Sequence, residues 1–335
     1  MPVPEQSQQL NNRISAYQAI AKAVNRDESL PCIYEACHRI IQSLMPAPNM
    51  YVSIAEPEGL RFPYFCDQYN PESPLDLYPR EGLTGYVVNT GKSLWLKQSG
   101  LPPETRTIGR ESIDLIACPI PSPDGQTIGV LTVQTYEKDE SYVQEDLDFL
   151  MFVAHELSLA IRLADKDRQL AIDRIANLVE ETVDEADLYP KIQTVMQSII
   201  RPAKKNFLIA RVDEAAGVFR PVYIRDASGW VLPESWPLED GLSGYLYNIR
   251  KRSFIYQEGV TELPKEATLP TNEAPFYWLG VPIEWASRII GVIIIQSYDR
   301  NEALTVEDEH ALNGIAPFLA STIGKTEFYS RMRKQ

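Results

Sequence analysis

The chain has 335 residues, 44% of them hydrophobic and 23% charged, and its 46 acidic against 32 basic residues leave a formal charge of −14. That charge opposes binding to nucleic acid or to an anionic membrane surface, and the longest aliphatic run, Ile289 to Ile295, is far too short to span a bilayer. The length suits two domains of ordinary size, and the start, Met1-Pro-Val-Pro-Glu5, has neither the basic residues nor the apolar stretch of a signal peptide, so a cytoplasmic location is expected.

Leu10, Ile14, Tyr17, Ala21 and Val24 lie on one helical stripe, which predicts an N-terminal helix within 1–28. Ile33, Cys37, Ile40, Ile41 and Leu44 recur at helical spacing until Pro46 and Pro48 stop the helix ahead of a strand over Met50 to Ala55. Gly82 and Gly85 bracket Thr84, a hydroxyl suited to capping a short helix through Tyr86 to Asn89, and Gly91 offers a left-handed stop. Two apolar runs, Ile113 to Ile120 and Ile128 to Tyr136, flank Pro121 to Gly125 and read as a hairpin. From Tyr142 to about Val183 there is neither proline nor glycine. Leu147, Leu150, Ala154, Leu157, Ile161, Ala164, Arg168, Ala171, Ile175, Leu178 and Thr182 alternate steps of three and four, a heptad seam that asks for a partner helix. Arg168 within it is expected to snorkel outward or to pair with Asp165 or Asp167. Phe276 to Ile283 and Ile289 to Tyr298 form a second hairpin around Trp285 to Arg288, its second strand apolar enough to be central in a sheet. A final helix runs from Thr305 onward.

An internal repeat organises these elements. Glu81-Gly82-Leu83-Thr84-Gly85-Tyr86 returns as Asp240-Gly241-Leu242-Ser243-Gly244-Tyr245. Cys118-Pro119-Ile120 matches Val281-Pro282-Ile283, and Ile128-Gly129-Val130 matches Ile290-Gly291-Val292. Gln134-Thr135-Tyr136 matches Gln296-Ser297-Tyr298, and Asn49-Met50-Tyr51-Val52 matches Asn206-Phe207-Leu208-Ile209. Blocks that keep their order and separation in this way point to a duplication. The division that follows is an N-terminal helix over 1–28, a first domain over 29–150, a connecting helix over 151–184, a second domain over 185–304 and a C-terminal helix over 305–335.

The stretches at 81–92 and 128–136, with Asp146 opening the next helix, resemble the GAF domain family. So do 240–245 and 290–298, with Asp308 and Glu309 opening the last helix. The resemblance implies an α+β fold in each copy: a central antiparallel sheet of about six strands, helices on one face making dimer contacts, and a small-molecule pocket on the other. It also implies a relay of binding through helices to a kinase, cyclase or transcriptional output, with the long helix as the bistable element.

The sharper readings within that family are weighed on its motifs. The Asn-Lys pair of cyclic-nucleotide-binding members is missing after both strands, which end Thr135-Tyr136 and Ser297-Tyr298. Tyr142 with Asp146, and Leu304 with Asp308-Glu309, serve equally as helix-start residues. No cysteine for bilin attachment stands in 93–112, and Cys37-His38 lies on an early helix, where Cys37 is expected in the core and His38 in solvent. The reactive cysteines of methionine-sulfoxide reductases have no counterpart in the second copy, since Cys32, Cys37, Cys66 and Cys118 all precede it. These four show neither metal spacing nor disulfide density, so buried thiols, no metal and no cofactor are expected. His155-Glu156 lacks the second histidine of a zinc protease motif, and neither a Gly-x-Ser-x-Gly nor a phosphate loop appears, so no catalytic residue is assigned.

Pocket residues are expected among aromatics near the sheet and the short helix: Phe65, Tyr86 and Trp95 in the first copy, Tyr223, Trp236, Tyr245 and Trp278 in the second. The second set is the richer, and the loop Leu263 to Pro275 before Phe276-Tyr277-Trp278 reads as a lid. Buried aromatics are more often plain core. Two functions are therefore carried forward: a homodimeric tandem sensor of a small cytosolic molecule, and a ligand-free dimerisation scaffold that positions a signalling partner.

Overall fold

A computed structural model describes residues 3–25, 28–69, 77–103, 105, 110–182, 184–200, 206–225, 234–249, 253–259, 261, 263–269, 274–300 and 303–332. It divides into two compact units, Met1–Asp165 and Lys166–Gln335.

Unit 1 contains α1 (Val3–Val24), α2 (Leu30–Gln42), β1 (Asn49–Glu56), β2 (Gly59–Cys66), α3 (Gly82–Thr90), β3 (Leu94–Trp95), α4 (Leu96–Ser99), β4 (Asp114–Pro121) and β5 (Thr127–Thr135). The single helix α5 (Gln144–Glu181) starts in unit 1 and ends in unit 2. Unit 2 continues with α6 (Glu185–Met196), β6 (Asn206–Asp213), β7 (Val218–Arg225), β8 (Trp236–Pro237), α7 (Gly241–Ile249), β9 (Phe254–Gln257), β10 (Tyr277–Trp285), β11 (Arg288–Ser297) and α8 (Val306–Met332).

Both sheets are antiparallel and share one topology. Unit 1 has the order β2-β1-β5-β4-β3, and unit 2 has β8-β7-β6-β11-β10-β9. The expected six strands appear in unit 2. Among the described residues unit 1 has five, and an isolated bridge between Leu60 and Tyr78 stands where β7 pairs with β8 in unit 2.

Period-two alternation sorts each strand between two layers. In unit 1, Met50, Val52, Ile116, Cys118, Leu131 and Val133 face α1, α2 and the first half of α5, while Leu115, Ala117 and Val130 face α3. In unit 2, Phe207, Ile209, Leu279, Val281, Ile293 and Ile295 face α6, α8 and the end of α5, while Leu208, Ala210, Trp278, Val292 and Ile294 face α7. Burial of each large aliphatic side chain stabilises these layers by about 1.5–3 kcal/mol.

Three sequence expectations change. On α1 the buried face is Ala16, Ile20, Ala23 and Val24, with Leu10 and Ile14 exposed and Tyr17 at the border, its ring against Phe149 and Phe152. The heptad seam of α5 is spent within the units: Leu150, Ala154, Leu157 and Ile161 lie in the unit 1 core, and Ala171 and Ile175 in the unit 2 core. His38 is buried, not solvated. One ring nitrogen, Nε2, meets the Ala47 carbonyl at 2.7 Å and the other, Nδ1, meets the Tyr64 hydroxyl at 2.7 Å, so both polar atoms are satisfied and burial is tolerated. Because a carbonyl only accepts, Nε2 carries the proton and Nδ1 accepts from Tyr64.

The duplication extends to this detail. The Gln193 amide hydrogen-bonds the Tyr223 hydroxyl at 2.6 Å, as His38 does that of Tyr64. The ring pairs Tyr34–Tyr64 and Tyr189–Tyr223 both stand 6.1 Å apart. Burial lowers the His38 pKa below its ordinary value, so the folded state favours the neutral ring. The associated stability is present above the unfolded pKa, near 6.5, and is lost as pH falls through the folded value. Replacing His38 by glutamine, the residue of the second copy, is expected to flatten the loss of unit 1 stability between pH 7 and 5, whose slope from this group is at most about 1.4 kcal/mol per pH unit. Urea melts of both proteins across that range measure it, and identical slopes would assign the acid sensitivity elsewhere.

Candidate functional site

The glycines of the repeated hexapeptide have a physical cause in both copies. Gly82 and Gly241 have φ of 67° and 71°, which turns the chain directly into α3 and α7. A Cβ on Gly85 would collide with the backbone of Arg80, and one on Gly244 with the backbone of Glu239. Because the helix starts at Gly82, Thr84 lies inside α3 and is not its cap; Ser243 likewise lies inside α7. Gly91 ends α3 in the left-handed conformation, as expected from the sequence.

Thr84 is buried, and its Oγ1 is 3.1 Å from the Tyr51 hydroxyl. Thr132 stands directly opposite Tyr51 on the neighbouring strand and opposite Ala117 on the other side. Its hydroxyl is fully buried, faces the same layer and lies beside the Tyr51 phenol without a well-formed hydrogen bond to it. Burial pushes the Tyr51 phenol above its ordinary pKa, which keeps it a neutral donor. Beneath α3, two strands and a helix therefore converge three hydroxyls.

A polar and aromatic rim adjoins them. The Asp67 carboxylate accepts from the Tyr136 hydroxyl at 2.7 Å, from Gln134 Nε2 at 3.3 Å and from the Tyr69 backbone N–H at 2.9 Å. Burial, then the Asp67 carboxylate, raises the Tyr136 pKa. The Arg110 guanidinium lies 3.9 Å from the centre of the Tyr69 ring and 5.2 Å from that of Tyr136, a cation–π arrangement. Asn49 accepts from the Gln68 backbone N–H at 2.8 Å and donates to the Gln134 carbonyl at 3.1 Å, fixing the chain beside Asp67.

Of the aromatics predicted from the sequence, Phe65 joins this face through a cluster with Tyr51 and Phe62. Tyr86 packs on α3 and lines an open outer cleft of about 580 Å³ with Arg80, Asn89 and Thr105. Trp95 is elsewhere: it packs in the helix-covered layer and donates from Nε1 to Asp114 at 3.3 Å. In unit 2, Trp236 stacks on Phe219, Tyr245 meets Phe254, and Trp278 is buried, all on the α7 face. Tyr223 faces the opposite layer, beside Tyr189 and Gln193. Part of the predicted lid packs down, with Ala267 buried and Thr268 Oγ1 accepting from the Gly241 backbone N–H at 3.0 Å; residues 270–273 of it lie outside the described residues. A groove of about 600 Å³ at the other end of the sheet carries Arg211, Arg220 and Arg288, ion-paired to Glu185, Asp213 and Glu214.

The sequence reading missed Tyr51, Thr132, Asp67, Arg110 and Tyr136. A signal for the first two existed in the repeat, where Tyr51 answers to Leu208 and Thr132 to Ile294.

No curated protein matches the chain. Among solved structures it is similar to the GAF domain of an Acinetobacter phosphoenolpyruvate-protein phosphotransferase, at 19% identity over 48% of this chain and 94% of that one, TM-score 0.38. It is similar to the corresponding domain from Coxiella burnetii, at 15% identity over 50% and 98%, TM-score 0.39. It is also similar to free methionine-R-sulfoxide reductase from Neisseria meningitidis in complex with its substrate, at 13% identity over 48% and 91%, TM-score 0.39. Residues 28–162, the greater part of unit 1, match the family model of the GAF domain.

Proposed function

We propose that the chain is a non-catalytic sensory module of two GAF-type domains, which binds a small cytosolic molecule beneath α3 and passes the event through α5 to a kinase or cyclase partner. The observation that carries this reading is the set of Tyr51, Thr84 and Thr132 hydroxyls under α3, with the Thr132 hydroxyl buried and lacking a well-formed hydrogen bond. Such a group costs about 1–3 kcal/mol unless something satisfies it, and a ligand polar group entering the layer would do so. Of the four thiols expected to be buried, Cys37 and Cys118 are, and burial pushes them up to about 12, far from thiolate formation at neutral pH, whereas Cys66 is half-buried and Cys32 is exposed. Asp146 ties α5 to the rest of unit 1, accepting from the Val143 backbone N–H at 3.0 Å and pairing with Arg13 of α1 at 3.1 Å. Asp146 thereby joins α1 to the start of α5. We place the homodimer contact on the outward side of these helices, where Leu10, Ile14, Met151 and Leu163 are exposed.

Native mass spectrometry of the chain purified without denaturant, beside its denatured mass, tests both parts. A dimer carrying extra mass is expected, with the retained fraction falling about tenfold or more in Thr132→Val, which keeps the shape and removes the hydroxyl. A bare dimer would favour the scaffold reading, and a bare monomer would remove the dimer as well.

A further inference from the structure

We infer that the indole of Trp278 is the built-in occupant of the α7 layer, so that of the two copies only unit 1 keeps a layer a ligand can enter. This rests on the reading of the α3 layer as a binding site and asks which copy retains it.

The strand registers align the two layers residue by residue. Leu115 and Ala117 on β4 answer to Trp278 and Gly280 on β10, because Ala117 pairs with Thr132 and Gly280 pairs with Ile294. Tyr51 and Ser53 on β1 answer to Leu208 and Ala210 on β6. Every hydroxyl that the unit 1 strands aim into the layer is thus an aliphatic side chain in unit 2. The rim behaves differently: Asn49, Gln134 and Tyr136 recur as Asn206, Gln296 and Tyr298, and the hydroxyl of Thr84 recurs in Ser243. What both copies share belongs to the fold, whereas the strand hydroxyls are particular to unit 1.

Trp278 takes up the space. It is 4% exposed, and its indole lies along its own strand over position 280, where any Cβ would collide with the ring. Phe254 stands 6.1 Å away, Leu242 and Leu246 of α7 pack in the same cluster, and Ala267 closes it from the loop pinned to Gly241. Among the described residues, the apolar cluster of the unit 1 layer is Leu83, Val87, Leu94, Leu115, Ala117 and Val130, with the rings of Tyr51 and Tyr86 beside it, whereas that of unit 2 holds Phe219, Tyr256 and Trp278 within it. A ligand for unit 2 would have to expel a buried indole. At the matching position unit 1 has the smaller side chain of Leu115.

The test uses the full chain, with free indole as the probe. Trp278→Gly is expected to lower the melting temperature of unit 2 by about 10 °C. Millimolar indole should restore about half of that loss and return hydrogen-exchange protection to peptides covering 241–249 and 277–285. Trp278→Leu, which copies the residue at 115, is the gentler variant and decides the matter if the glycine protein does not fold. Its smaller cavity is probed with benzene, and the same two peptides should gain protection. Protection of these peptides by indole in the unaltered chain would overturn the inference, because the layer would then be open already. So would variants that respond to neither probe, because the indole would then not be what fills it. Retained mass lost in Thr132→Val is a separate readout, and its failure would remove the unit 1 site while leaving the Trp278 result standing.

Discussion

Replacing Asp114 by alanine is expected to destabilise unit 1 by about 3–5 kcal/mol, because it orphans four donors, two of them buried backbone N–H groups at roughly 1–3 kcal/mol each and two of them part-buried. Asp114 is fully buried at the start of β4. Its Oδ2 accepts from Trp95 Nε1 at 3.3 Å and from the Tyr142 backbone N–H at 3.1 Å, and its Oδ1 accepts from the backbone N–H groups of Lys97 at 3.3 Å and Leu115 at 2.9 Å. One carboxylate therefore joins the sheet, the β3–α4 edge and the turn that launches α5. Alanine removes the acceptor and leaves the donors in a dry layer. Asparagine keeps one acceptor oxygen and is expected to cost about half as much. Urea unfolding of the three proteins measures the series, and a loss below about 1 kcal/mol for alanine would mean that water replaces the carboxylate. A slack Tyr142 turn would also loosen the start of α5 from the sheet.

Gly85→Ala and Gly244→Ala are each expected to cost about 2–3 kcal/mol, the usual penalty for forcing atoms into a packed site with backbone displacement. Neither residue has an unusual φ, so the cause is space alone: the preceding chain, at Arg80 in one copy and Glu239 in the other, passes where the methyl would be. Because the obstacle is backbone in both places, no side chain can swing away. Equal losses in the two copies, each confined to its own unit in a hydrogen-exchange measurement, are the expected outcome. A tolerated substitution in one copy would show that its helix can shift, and would mark that copy as the mobile one.

Much of this architecture was legible in the sequence because it rests on local or repeated physics. Proline and glycine punctuation placed α2, α3 and the first hairpin, the repeat placed the second, and Gly91 ends α3 in the conformation its lack of a Cβ permits. The Ile289 to Ile295 run stands as the central strand β11, buried on both faces. Repeated blocks announced two copies, and the copies share a strand order. Side-chain direction was harder to read. His38 looked solvent-bound because only its own helix was in view, and the partner that makes its burial tolerable, Tyr64, is 26 residues away.

The candidate site shows the same division. By itself the sequence determined the charge that disfavours nucleic acid, the two copies, the helix that joins them and the family of the first, since composition, spacing and repetition do not depend on where the chain folds back. Only the tertiary structure decided which face each aromatic serves. It sent Trp95 and Tyr223 to the helix-covered layers, brought Tyr51, Thr84 and Thr132 together from three elements, and laid Trp278 over Gly280. The reason is that a strand's two faces differ by a single residue of register, and register is set by the pairing of strands far apart in the chain. Pairing also explains why Thr132, an unremarkable threonine in an apolar run, becomes the buried hydroxyl on which the proposed site depends.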